Sequence, residues 1–378
     1  MRTTRQIKIN KSELREQLDF LAHEAGIVYS LALVTFKRVL RKKNHWLSQY
    51  GMQRLIRNNN LHSQSTQGII DKLYANIKSW RKLRKTNPGA RLPKKRKWYY
   101  TIPYKESAIS VKDGKLLLSN GKGNEPLSLD WKYDKPKFVE ISFNDGYILN
   151  AVYKLEDVAS LIEGDVAGID LGEVHMAVAR TNQSTIIANG KELRSKKRYI
   201  NKATGKLQAR IDKCKQGSRK RKQLVKAKTK MRRRLNNQIK DILHKQTTKL
   251  IYALKEDGVK TVAIGDVRDI RQNVDCGKHN GQKIHQMHTG KTRGFLTYKA
   301  RRLGMTVELI NEAYTSQSCI RCLTLNKPEK RNYVCSRCGF KYHRDGVGAI
   351  NIRQKQMYQE LVPVVGDMTP PIGLRYVA

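Results

Sequence analysis

Four cysteines constrain this chain more than any other feature. Cys319 and Cys322 form one CxxC pair, Cys335 and Cys338 form a second, and 12 residues separate the two. Two such knuckles let four thiolates converge on one tetrahedral zinc ion, the arrangement of a structural site. All four coordination positions are taken by protein, so the metal is expected to replace a core that a loop this short cannot build. Residues 319–340 are therefore read as a zinc-bearing insert. His343 falls just outside it and is not expected to be a ligand, while Cys214 and Cys276 stand alone as ordinary thiols.

Charge sets the next limit. The 378 residues carry 76 Lys and Arg against 32 Asp and Glu, a formal net charge of +44. An excess of that size repels itself in a compact fold unless a polyanion neutralises it, which points to nucleic acid. It is densest over residues 191–234, where 20 Lys and Arg meet only two acids, Glu192 and Asp212. Such a helix face is expected beside phosphates. No run approaches the about 18 apolar residues of a membrane span, and MRTTRQIKIN lacks the apolar stretch of a secretory signal. A cytoplasmic protein, nucleoid-associated in a prokaryote and without a membrane partner, is expected. In that reducing compartment clustered cysteines suit metal rather than disulfides.

The pattern of apolar residues divides the chain. RQIKIN alternates as a short strand, and a helix or helix pair follows behind Ser12 as N-cap, with Leu14, Leu18, Leu21, Ile27, Leu31 and Val34 at helical spacing. A further helix carries Ile69, Ile70, Leu73, Ile77 and Trp80 on one face. Pro88, Gly89, Pro93 and Pro103 then break helices, and β-formers make residues 86–160 small antiparallel β-structure. Within it, KKRKWYY mixes cations with Trp98, Tyr99 and Tyr100, which suits either nucleic-acid contact or packing. From residue 166 strands alternate with helices: VAGIDLGEVHMAVAR gives two strands, the basic run follows, and NNQIKDILHKQTTKLIYALKEDG reads as an amphipathic helix. TVAIGD and MTVELI are further strands, joined by the helix in GFLTYKARRLG, so residues 166–352 form an α/β domain. The last 25 residues show no period and read as a flexible tail.

Cutting a phosphodiester with two divalent metals requires carboxylates from separate chain segments to converge, and strand ends supply them. Asp170 ends a hydrophobic strand in GIDLG, flanked by Gly168 and Gly172. Asp345 heads DGVGAINIRQKQMY, whose Val347, Ile350 and Ile352 suit a helix packed on a sheet; there it is either an N-cap or a metal ligand. For a third carboxylate Asp266 and Glu312 both stand at strand ends, and pattern alone does not choose between them.

With GIDLG, YTSQSC before the first cysteine pair and RDGVGAINI after the second, the chain resembles TnpB, the transposon-encoded RNA-guided endonuclease family related to type V CRISPR effectors. The resemblance implies a wedge strand at 1–10, a helical recognition lobe at 11–85 and a wedge β-barrel at 86–160. It implies a RuvC-like nuclease domain of RNase H fold at 161–318 and 341–353, interrupted by the zinc insert, with a tail at 354–378. It further implies two catalytic magnesium ions held by three acids, a guide RNA from the transposon end, and target double-stranded DNA cut next to a short adjacent motif; a monomer is favoured. Asp170 and Asp345 fall on the first and third acid motifs. The second departs: where the family usually has Glu, Asp and Leu, this chain has Gly265, Asp266 and Val267. A subset of relatives, the eukaryotic Fanzor proteins among them, carries the glutamate on a later segment, and Glu312 stands there, 46 residues after Asp266. Glu312 is favoured for its reach to a shared metal. By analogy, Ser63, Gln64, Ser65, Thr66 and Gln67 of the helical lobe are candidates to face bases of the adjacent motif. The alternative is a nuclease-dead RNA-guided repressor, motivated by Gly265. A transposase is disfavoured because no nucleophilic hydroxyl or strand-transfer chemistry can be placed.

Overall fold

The computed structural model describes residues 2–93, 97–144, 146–268, 277–328, 331–364, 366 and 368–374. Lys94, Lys95 and Arg96 of KKRKWYY, and Cys276, lie outside them. The chain divides into two compact units, Met1–Asp157 and Val158–Ala378.

The first unit opens with strand β1 (Arg2–Ile9), continues through helices α1 (Arg15–Lys43), α2 (Gln49–Leu55) and α3 (Ser63–Thr86), and ends in strands. These are β2 (Ile102–Lys105), β3 (Ile109–Lys112), β4 (Lys115–Leu118), β5 (Leu127–Asp130), β6 (Phe138–Phe143) and β7 (Tyr147–Lys154). One antiparallel sheet has the order β1-β7-β6-β2 and a second the order β3-β4-β5. β1 pairs with β7 along its whole length, from Arg2 opposite Lys154 to Ile9 opposite Tyr147, so the three helices are an excursion between two strands of one sheet.

Helix α1 is one helix, and its buried stripe differs from the expected one. Leu18, Leu21, Ala25, Val28, Ala32 and Phe36 face the core, whereas Ile27 and Leu31 are exposed. Small alanines carry the 3.6-residue period here, and a reading weighted to large side chains misses them. Ser12 does not cap the helix by its side chain; Leu14 is the N-cap residue, and the Ser12 carbonyl accepts from the Arg15 N–H at 3.0 Å. Contrary to the sequence reading, α1 is long and apolar enough by length and composition to cross a membrane, but 56% of that stretch is buried inside the protein. On α3, Ile69, Ile70, Leu73 and Ile77 are fully buried as expected. Ser65 and Thr66 are buried on the same helix and cannot face bases; Ser63 is exposed, and Gln64 and Gln67 are half-buried. Of the aromatic trio, Trp98 and Tyr99 are exposed, while Tyr100 stacks on Tyr29 with ring centroids 4.5 Å apart.

The second unit contains β8 (Asp165–Asp170), β9 (His175–Arg180), β10 (Thr185–Asn189), α4 (Lys191–Asp212), α5 (Arg219–Glu256) and β11 (Val259–Gly265). It continues with α6 (Gly277–Gln286), α7 (Thr289–Arg302), β12 (Thr306–Ile310), β13 (Asn332–Val334), β14 (Lys341–His343), α8 (Arg344–Tyr358) and β15 (Ile372–Leu374). Its main sheet has the order β12-β11-β8-β9-β10-β15. β8, β9 and β10 form an antiparallel meander, and β11 and β12 add in parallel on the other side of β8. β8 is thus central, with Ala167 and Ile169 fully buried, and α8 packs across it.

The basic run is split: its first part is the separate helix α4, and its second part, from Arg219, is continuous with the amphipathic helix that follows. Ser218 caps α5 through its hydroxyl, which accepts from Arg221 N–H at 3.2 Å. The helix then runs 38 residues without a break. Its first half is cationic and its second half buries Ile239, Ile242, Leu243, Leu250, Ile251 and Leu254. The expected loose tail is partly regular: α8 extends to Tyr358, and Ile372–Leu374 pairs in parallel with β10. Without it, β10 would present an open row of amide and carbonyl groups at the sheet edge.

Candidate active site and metal centre

Three acids from distant segments lie near one end of the central strands, Asp170 feeling the charges of both Glu312 and Asp345. Asp170 is the last residue of β8. Burial first, then the negative charges of Glu312 and Asp345, push its carboxyl from 3.8 up to about 8; Arg344 and a hydrogen bond from Leu171 N–H oppose the shift. Its Oδ2 lies 2.8 Å from where a Cβ on Gly348 would stand, so the carboxylate rests on the bare backbone of α8 one turn beyond Asp345. Asp345 sits in the first turn of α8 and is not its N-cap, which is His343. The helix dipole favours a negative charge there. Burial opposes that charge, but His175 at 2.7 Å and Arg331 at 3.2 Å hold the Asp345 carboxyl below the usual range.

Glu312 occupies the place that the second motif leaves open. β11 and β12 run in parallel with Gly265 beside Ile310, and Asp266 N–H continues the ladder to Ile310 C=O at 2.8 Å. Two residues on, the chain turns at Glu312, whose C=O accepts from Thr315 N–H at 3.1 Å. A Cβ built on Gly265 would lie 1.8 Å from Glu312 Oε1, so the glutamate carboxyl fills the space a side chain at 265 would take. Burial first, and then the charge of Asp266, push Glu312 up to about 7. Its Oε1 is buried and has no hydrogen-bond partner among the described residues. A buried carboxylate oxygen without a donor, near a second carboxylate, is the environment a cation relieves. Asp266 is differently placed: Arg268 holds it through Nε at 2.8 and 2.9 Å and Arg293 through Nη1 at 3.2 Å. Asp170 thus lies within electrostatic reach of Glu312 and Asp345, while Asp266 is held by arginines.

α8 fixes this geometry. Lys355 Nζ donates to Asn311 C=O at 3.2 Å and Ala313 C=O at 2.7 Å, gripping the turn that carries Glu312. Buried Asn351 Nδ2 donates to Thr315 C=O at 2.7 Å and Ser318 C=O at 2.9 Å. The sequence reading missed His175 and Arg331 and set His343 aside. The ligand atoms of His175, His343 and Asp345 lie within 4.8 Å of one another. The signal for His175 is its spacing: five residues after Asp170, it returns on the hairpin partner of β8 to the same sheet end.

The four cysteines form the expected cluster, with their sulfurs within 4.8 Å of one another. Cys319 and Cys338 sulfurs are 3.6 Å apart and those of Cys322 and Cys335 3.5 Å, close to the about 3.8 Å edge of a tetrahedron with 2.3 Å metal–sulfur bonds. The donor set fits zinc. Cys319, Ile320, Tyr333 and Cys335 share a small core with Val347 and Ile350 of α8, so the cluster anchors the helix that presents Asp345. Replacing Cys319 with Ser is expected to drop zinc content from about one per chain to near zero and lower the melting temperature by roughly 5–10 °C. Metal analysis and calorimetry read both; full zinc retention would show that the thiolates do not act together.

A central meander extended by two parallel strands, with acids at its strand ends, defines a RuvC-like domain of RNase H fold, here carrying a cysteine-cluster insert. The comparisons agree. A probable-transposase family matches residues 151–271, and a Cas12f1-like TNB domain matches residues 290–352. A TnpB-like protein of Methanocaldococcus jannaschii is 29% identical over 124 residues, 32% of this chain and 44% of that protein; the match thus spans less than half of that relative's length. The solved structure of Cas12f1 with sgRNA and target DNA matches with a TM-score of 0.65 at 14% identity, covering 92% of this chain and 84% of that one. CasPhi-2 (Cas12j) bound to crRNA and phosphorothioate-DNA matches with a TM-score of 0.50 at 9% identity, covering 97% and 93%. The chain is thus similar to TnpB-like and Cas12f1-like proteins over parts of its length, and it shares its fold with the Cas12f1 structure.

Proposed function

We propose that this protein is an RNA-guided DNA endonuclease of a transposable element, cutting guide-complementary double-stranded DNA next to a short adjacent motif. The observation that carries this reading is the Glu312 carboxyl in the space above Gly265, which completes a set of three acids with Asp170 and Asp345. Gly265 motivated the alternative of a repressor that binds without cutting; the Glu312 carboxyl in the space beside Gly265 supports the cutting reading instead.

Asp170, Glu312 and Asp345 would hold two magnesium ions, which when bound supply positive charge to the scissile phosphate and an acidified water. The protein's own part is orientation. His175 and Arg331 fix the Asp345 carboxylate, Lys355 fixes the turn of Glu312, and the cysteine cluster holds α8 in place. The cationic faces of α4 and the first half of α5 suit RNA and DNA backbones, with base pairing to the guide supplying sequence. Exposed Trp98 and Tyr99 in the first unit suit stacking on unpaired bases. Half-buried Gln64 and Gln67 remain available to base edges of the adjacent motif. The particle is expected to act as a monomer in the cytoplasm.

The test is cleavage of a plasmid matched to the copurified RNA, with and without magnesium. Glu312→Ala is expected to lose about 10³-fold in rate, roughly 4 kcal/mol of transition-state stabilisation. Asp266→Ala, which removes a partner of arginines, is expected to stay within about tenfold. An inactive Asp266→Ala beside an active Glu312→Ala would reassign the second acid, and binding without cutting by the unmodified protein would overturn the proposal.

A further inference from the structure

A cavity of about 640 Å³ lies in the second unit between α4, α5 and the segment from α6 into α7, floored by the residues just after β11. Lys197, Arg232, Arg268, Lys291 and Arg293 line it, and no carboxylate stands among its described lining residues. Ile200, Ile239, Val267 and Met287 are its apolar lining residues. Asn201, Asn236 and Gln286 sit among them with amide groups, and Asn201 Nδ2 donates to Gln286 Oε1 at 2.9 Å. The volume is within the about 300–1,000 Å³ of small-molecule sites. Cationic, apolar and amide side chains lining one cavity match the phosphate, base face and base edge of a nucleotide.

We propose that this cavity receives a single nucleotide turned out of its stack, phosphate toward Arg232 and Lys291, base against Ile200, Ile239 and Met287. A long duplex does not fit such a pocket, while an extruded base does. The position gives the occupant a link to the acid centre. Arg268 and Arg293 hold Asp266, the residue after Gly265 and the charge that acts on Glu312. Arg268 and Arg293 also line the cavity, so an occupant and Asp266 share these two cations as neighbours. The inference rests on the reading of the chain as a nucleic-acid-bound protein and not on cutting.

Ultraviolet crosslinking of the purified ribonucleoprotein, followed by mass spectrometry of nucleotide-bearing peptides, tests it. Adducts on residues 287–293 are expected. Their presence in the DNA-free particle assigns the nucleotide to RNA; their appearance only after a guide-matched duplex is added assigns it to DNA. Asn201→Trp, which fills the cavity from α4, and the double variant Arg232→Ala/Lys291→Ala should each lower those adducts at least fivefold and leave adducts elsewhere unchanged. Melting curves show that the variants are folded. Adducts on other surfaces but none at 287–293, or adducts there that both variants leave intact, would overturn the cavity assignment and leave the nucleic-acid reading standing. No adducts anywhere would overturn both.

Discussion

Asp170→Asn is expected to abolish cutting, by about 10³-fold or more, and at the same time to make the cation-free protein harder to melt. The two effects have one cause. Burial and the neighbouring charges of Glu312 and Asp345 push the Asp170 carboxyl from 3.8 up to about 8. A carboxyl raised in this way binds its proton in the native state but not in the unfolded chain between those two values. Its contribution therefore favours folding below about pH 4 and is lost progressively as pH rises toward about 8. Glu312, raised from 4.5 to about 7, acts in the same direction. In chelator, stability should fall from pH 5 to pH 8, and Asp170→Asn should flatten that fall, raising the melting temperature at pH 8 by about 3–8 °C. Loss of cutting together with a lower melting temperature at pH 8 would mean that Asp170 holds the fold together and is not a strained member of the site.

The exchange of a glutamate between two strands gives the second large effect. Gly265→Glu alone should cut about 10³-fold more slowly, because its Cβ would lie 1.8 Å from Glu312 Oε1 and displace that carboxyl. Glu312→Ala alone should lose as much by removing it. The double variant Gly265→Glu/Glu312→Ala should recover to within about tenfold of the unmodified protein, since one carboxyl again occupies the shared space. Plasmid cleavage rates for the three proteins decide it; a double variant as inactive as both singles would show that the strand end at 265 cannot present the acid correctly.

What could be read beforehand follows from how local each signal is. The cysteine cluster was legible because ligand spacing is a local property. β8, β11 and β12 were legible because short apolar runs ending in Asp170, Asp266 and the residues before Glu312 mark strands. Glu312 is favoured over Asp266 from the resemblance and its reach, but the parallel register that sets Gly265 beside Ile310 is not legible, because spacing along the chain carries no register. His175 was missed because its partner, Asp345, lies 170 residues away. The inward face of α1 was drawn wrongly after Leu21 because alanines define it. β15 was missed because three residues on a sheet edge have no period to detect.

The pairing of β1 with β7 sets an order on how the protein comes off the ribosome. Arg2 must wait for Lys154, and Ile9 for Tyr147, so at about 5–20 residues per second the leading strand stays without its neighbour for roughly 7–30 s. Its Arg2, Arg5 and Lys8, exposed in the folded unit, are the kind of cationic edge that discourages pairing between copies. β1 is thus among the last strands of the first unit to settle, and removing it would leave β7 with a bare flank.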